Sequence, residues 1–255
     1  MTLPGQGRVT PLPPVWLLPP EPLALGAGDV HVWRASLDMD AATLGHLLAT
    51  LSPDERERAD RFHFQRDRGD YAAARGVLRD IVGRYLGVRP ERVSFHYSGH
   101  GKPSLAADMD AAWLRFNVSH AHGVALYAMS TGREIGVDVE YVREDIASTD
   151  IAQRFFSRDE RSALDRLPSG RRTEAFFDCW TRKEAYIKGL GDGLSHPLES
   201  FTVSLGRGEA VSVRASDAAD TGRRWTLAGL DPGSGYAGAL AVEGAVGAVR
   251  HWRWQ

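Results

Sequence analysis

The chain has 255 residues, 43% of them apolar and 25% charged, with a formal net charge of −2. That length can bury a substantial core in one large domain or two lobes, and the balanced charge points to neither a nucleic-acid nor a membrane-surface partner. A single cysteine, Cys179, excludes an internal disulfide framework; no apolar run could span a bilayer and no signal-peptide pattern opens the chain, so a cytoplasmic protein is expected.

Seven of the 13 prolines fall before residue 23, which excludes a helix or central strand there and predicts an extended arm over residues 1–28. From Val30, VHVWRASLD alternates as a strand does. Ser52, Pro53 and Glu55 then supply an N-cap, a first-turn proline and a capping-box partner, predicting a helix to about Arg61. A second helix is predicted from about Arg66 to Leu86, where Tyr71, Ala74, Leu78, Ile81, Val82 and Tyr85 recur at helical spacing. Strand patterns return at VSFHY, LRFNVSH and GVALYAMS. The mixture then repeats: a strand at 134–141, helices near Ile146, at 157–167 and from Thr173 to about Gly189, and strands at FTVSL, AVSVRA, RWTLAGL and YAGALAVEG. The predicted class is α+β, with an N-terminal lobe over 29–132 and a C-terminal lobe over 133–255.

Only three basic residues are lysines, Lys102, Lys183 and Lys188. A lysine kept in an arginine-rich chain suits a point charge against a phosphate oxygen. In EIGVDVEYV, Asp138 and Glu140 share one strand face, and two carboxylates so placed can share a hard divalent cation. Trp180, Glu184 and Lys188 follow at i, i+4 and i+8 on one helix face that runs into GLGDGLS. Ser119 and His120 end a strand, where adjacent residues point to opposite faces, so they form no catalytic dyad. Among the arginines of the first helices, Arg58 and Arg75 are selected with Lys102 as candidate grips on a polyanion. These groups together suggest Mg²⁺-dependent chemistry on a pyrophosphate, with no phosphate-binding glycine loop of the nucleotide-kinase type.

GKP, FNVSH, GVDVE, FFSRDE and WTRKEAYIKGLGDGLS occur in the order and rough spacing of the 4'-phosphopantetheinyl transferases. SPDERERADRF also resembles the N-terminal helix of their two-lobed, broad-specificity class, which activates nonribosomal peptide and polyketide synthases. The resemblance implies two α+β lobes related by a pseudo-twofold, with coenzyme A in the cleft between them. It also implies transfer of 4'-phosphopantetheine to a serine of an acyl or peptidyl carrier protein, with release of adenosine 3',5'-bisphosphate. Carried over by position, Asp138, Glu140 and Glu184 match the Mg²⁺ ligands, with Mn²⁺ as a second candidate. Arg58, Arg75, Lys102, Ser119, His120, Asp138 and Lys188 match coenzyme A contacts, His120 near the 3'-phosphate. Glu184 is the candidate general base, and Lys188 the stabiliser of the departing phosphate. Two lobes in one chain imply a monomer.

Two positions depart from the family pattern: Ala121 follows the Ser-His pair, and Glu55 stands where relatives can carry a basic residue. The alternatives are a Mg²⁺-dependent hydrolase of another pyrophosphate, and a catalytically silent module that binds coenzyme A or a carrier.

Overall fold

The computed structural model describes residues 15–99, 101–146, 149–191, 196–205, 213–215 and 224–255. Strand β1 (Val30–Ser36) alternates as its sequence does, sending Trp33 and Ala35 to one face and Val30 and Val32 to the other. Helix α1 (Ala41–Thr50) is capped by Asp40, which accepts a hydrogen bond from Thr43 N at 2.8 Å. Sequence reading passed over this helix, since only Leu47 of it is buried and no apolar stripe marks it. Helix α2 (Pro53–Asp60) starts as expected, with Ser52 N donating to Glu55 Oε2 at 3.1 Å. Helix α3 (Gln65–Leu86) lays Ala73, Val77 and Ile81 against the Trp33 face of β1.

Strands β2 (Phe95–Tyr97) and β3 (Pro103–Leu105) pair as a short hairpin, and β4 (Leu114–Ala121) and β5 (Val124–Thr131) as a longer one. Strand β6 (Ile135–Tyr141) leads to helices α4 (Thr149–Phe155), α5 (Arg158–Asp165) and α6 (Ser169–Leu190). Helix α6 begins one turn before the predicted Thr173. Five strands complete the chain: β7 (Phe201–Val203), β8 (Val213–Ala215), β9 (Trp225–Leu230), β10 (Tyr236–Glu243) and β11 (Val249–Arg253). The predicted strand residues 210–212 lie outside the described residues.

The fold is α+β and two-lobed, and its layers follow from strand alternation. One sheet runs β11-β1-β5-β4 and carries α3; another runs β6-β10-β9 and carries α6. Their free faces meet, burying Val30, Val32, Leu126 and Ala128 against Val137, Val139, Leu240 and Val242. Each lobe thus presents one 22-residue helix outside its own sheet. The last strand crosses back: β11 pairs in parallel with β1, Trp33 opposite Trp252, and Trp252 is buried with the α3 core. A division at residue 133 therefore separates β11 from the sheet it completes. Among the described residues no helix is long and apolar enough to cross a membrane.

Candidate active site

Small residues bring α6 down onto its sheet. On β10, Ala237, Ala239 and Ala241 point toward α6, so the alanine content that weakens this strand in the sequence is what lets a helix lie on it. The approach is closest at β6, where a Cβ added to Gly136 would stand 2.0 Å from the Ala185 carbonyl oxygen and 2.4 Å from Gly189 N. Gly189 in turn makes room for the Trp225 ring. Asp138 and Glu140 share the face of Gly136, as strand alternation requires. The contact therefore sets the Glu184 and Lys188 face of α6 beside these two acids.

The two lobes are tied together at that point. Buried Asn117 on β4 accepts a hydrogen bond from Val137 N at 2.9 Å, fixing β4 beside β6. Two residues along β4, Ser119 Oγ donates to Asp138 Oδ1 at 2.8 Å. Lys188 Nζ from α6 donates to the same Oδ1 at 2.6 Å and to Ser119 Oγ at 2.9 Å. Asp138 Oδ2 is buried and has no hydrogen-bond partner.

Glu140 and Glu184 complete an acidic group around Asp138. Burial and the Asp138 charge push Glu140 up to about 7, with Lys188 and a Trp180 hydrogen bond acting the other way. Glu184 is raised by the same two causes, with Lys188 opposing. Among the described residues no three His, Cys, Asp or Glu side chains stand ready-made around a metal position; the ammonium of Lys188 holds Asp138 instead.

Above this junction opens a cleft of about 310 Å³, lined by residues of both lobes, among them Arg58, Tyr71, Arg75, Tyr97, Lys102, Asn117, His120 and Lys188. The lining is cationic on an otherwise near-neutral chain. His120, on the opposite face of β4 from Ser119, has its pKa lowered by burial first and by Lys188 second, which favours the neutral imidazole. Lys102 spans the lobes, reaching Glu134 Oε2 at 3.2 Å and the Gly189 carbonyl at 3.1 Å.

Of the site residues named from the sequence, Arg58, Arg75, Lys102, His120 and Lys188 line this cleft, Ser119 and Asp138 are bonded to Lys188, and Glu140 and Glu184 stand with Asp138 in the acidic group. Arg75 is held by buried Glu55 at 3.2 Å and donates to the Tyr97 hydroxyl, so only part of its guanidinium is available to a ligand. Glu55 also holds Arg79 at 2.6 Å, which makes it the counter-charge of a buried arginine pair. Lys183 is not a site residue. It is fully buried, 2.9 Å from Glu160 and hydrogen-bonded to the Leu198 and Phe201 carbonyls. Sequence reading missed Asn117, Tyr71, Tyr97 and Glu134. Asn117 lay inside the quoted FNVSH stretch, and a buried amide on an edge strand needs a partner across a gap.

The description "4'-phosphopantetheinyl transferase superfamily" matches residues 134–241, and "4'-phosphopantetheinyl transferase, N-terminal" matches residues 33–132. The 4'-phosphopantetheinyl transferase HetI of Nostoc sp. is 39% identical over 239 residues, covering 94% of this chain and 98% of the relative. This chain belongs to the 4'-phosphopantetheinyl transferase family. A 4'-phosphopantetheinyl transferase of Bacillus subtilis is 32% identical over 179 residues, 70% of this transferase and 77% of that one. The Sfp transferase of Bacillus subtilis strain 168 is 32% identical over 170 residues, covering 67% and 73%.

Proposed function

We propose that the chain moves 4'-phosphopantetheine from coenzyme A to the serine hydroxyl of an acyl or peptidyl carrier protein, in a Mg²⁺-dependent reaction that releases adenosine 3',5'-bisphosphate. The carriers are those of polyketide, nonribosomal peptide or fatty acid synthases. The observation that carries the reading is the junction of Asp138, Ser119 and Lys188 beneath a cationic cleft built from both lobes. One chain supplies both cleft walls, so the reading calls for a monomer working in the cytoplasm.

Two features of the acids support a divalent cation, although their side chains are not gathered around a metal position in this structure. Asp138 Oδ2 is buried without a partner, and the charge of Asp138 disfavours ionisation of both Glu140 and Glu184. Such a donor set of oxygens suits Mg²⁺, and Mn²⁺ is compatible with it. Asp138, Glu140 and Glu184 would hold the ion, which when bound supplies a clamp on the pyrophosphate and neutralises its developing charge.

The side chains divide the remaining work. Arg58, the free edge of Arg75, Lys102, Ser119 and His120 bind and orient the anionic donor, which makes the encounter with the carrier effectively intramolecular. Glu184 has a raised pKa and accepts the proton of the carrier serine. The serine oxygen forms a new bond to the phosphorus that bears the pantetheine arm, and the bond from that phosphorus to the adenosine bisphosphate oxygen breaks. Lys188 places its positive charge against the departing phosphate, as preorganised cations do in phosphoryl transfer.

Release of adenosine 3',5'-bisphosphate from coenzyme A tests the reading. It should require an apo carrier with its acceptor serine. Release without any carrier would instead mark a pyrophosphate hydrolase, and coenzyme A binding with no release under any condition would mark a silent module.

A further inference from the structure

We propose that the Tyr71 hydroxyl is a direct ligand of the donor, giving its hydrogen to a phosphate oxygen that sits between Arg58 and Arg75. This rests on the reading of the cleft as a coenzyme A site. Tyr71 is only 8% exposed, and its Oη is buried without a hydrogen-bond partner. Buried tyrosine hydroxyls ordinarily find one. Other tyrosines of this chain obey that rule: buried Tyr127 donates to the Ala74 carbonyl at 3.0 Å, and half-buried Tyr85 accepts from Trp33 Nε1 at 2.9 Å. Tyr97, across the cleft wall, receives a hydrogen bond from Arg75.

Tyr71 is held in the cleft wall by its ring. Phe62 packs against it at 5.4 Å between centroids, and the Arg58 guanidinium lies over it at 5.7 Å. Arg75 follows one turn later on the same face of α3. Both arginines and Tyr71 line the same cleft. A neutral donor between two cations is satisfied by an anionic oxygen, and an O–H to phosphate bond is charge-assisted. Coenzyme A offers that oxygen in two places, the 3'-phosphate and the pyrophosphate, with the same chemistry.

The test is Tyr71→Phe, which keeps the ring and removes only the hydroxyl. Without ligand the variant should melt at or above the wild-type temperature, because no partner is left behind. The upward shift produced by coenzyme A should shrink, and KM for coenzyme A should rise about tenfold or more, as loss of a hydrogen bond to a charged group does, with kcat changed far less. Repeating the comparison with 3'-dephospho-coenzyme A locates the oxygen: a defect that vanishes places it on the 3'-phosphate, and one that persists places it on the pyrophosphate. A variant that matches the wild type in thermal shift and KM, while both transfer phosphopantetheine, overturns the inference and leaves the transferase reading intact. A ligand-free variant markedly less stable than wild type also overturns it, since the hydroxyl would already be partnered. Wild-type protein that neither binds coenzyme A nor transfers removes both readings together.

Discussion

Lys188 Nζ lies 2.6 Å from Asp138 Oδ1, and both groups touch Ser119, so a single ammonium links the α6 helix to strands of the two lobes. Removing Asp138's charge should be felt more in catalysis than in folding, because Lys188 is about a third exposed and water can solvate it. Asp138→Asn is expected to lower the carrier-modification rate by about 10²–10³, the usual loss when one preorganised electrostatic group is removed. Single-turnover rates read the effect, and near-wild-type turnover would contradict the role.

Packing of α6 on β6 makes a prediction about position rather than charge. Gly136→Ala drives a methyl group into the Ala185 carbonyl oxygen, 2.0 Å away, so the helix must shift outward. Overpacking of this kind costs roughly 1–3 kcal/mol or more, and here it should also displace Glu184 and Lys188 from the acids. Stability in urea and transfer rate should fall together. Gly170→Ala is the control: no atom stands within 4 Å of the added Cβ, and Gly170 is not left-handed. That change should be neutral or slightly stabilising, by up to about 1 kcal/mol.

Glu55 separates a structural ion network from the ligand site. Its carboxylate is 1% exposed and faces both Arg75 and Arg79. Glu55→Ala leaves two guanidinium groups without their counter-charge, and breaking a buried pair in this way costs about 3–5 kcal/mol. Denaturant midpoints measure the loss. A drop below about 1 kcal/mol, the range of surface pairs, would show that the network is solvated.

The raised carboxylates give a pH signature. Glu140 is held at about 7, above its ordinary 4.5, because burial and Asp138 disfavour its charge. The folded state therefore binds this proton more tightly than the unfolded chain does, and the stability it confers is complete below pH 4.5 and lost as pH rises through 7. Metal-free protein should lose stability across that window, and Glu140→Gln should flatten the loss. Added Mg²⁺ should restore stability at the alkaline end, where Glu140 is charged. A profile from pH 5 to 8 that is identical in wild type and variant contradicts the coupling.

Legibility in the sequence tracked periodicity and failed where tertiary contact decided. Strand β6 declared its own two faces, since Ile135, Val137 and Val139 alternate with Gly136, Asp138 and Glu140, and the structure buries the first set and turns the second toward α6. The 22-residue α3 was readable almost to its ends from a 3.6-residue stripe. Helix α1 was not, having only Leu47 buried. Lys183 and Lys188 looked alike in WTRKEAYIK, five residues apart. They lie on different sides of α6, one sealed against Glu160 and Phe201, the other open to the cleft. Arg75 is selected from the sequence as a candidate grip on a polyanion, but its partner Glu55 comes from another helix 20 residues away, a contact no local pattern encodes. Nothing in the sequence near Trp252 announces the return of β11 to β1 either.

The measurement that bears most directly on the account is the intact mass of an apo carrier protein after incubation with this chain, coenzyme A and Mg²⁺. The account predicts a gain of one phosphopantetheine on the acceptor serine, absent when the serine is replaced or the cation is chelated, and sharply slowed by Asp138→Asn. Carriers of unchanged mass across peptidyl and acyl types, from protein that binds coenzyme A in the cleft, would contradict it.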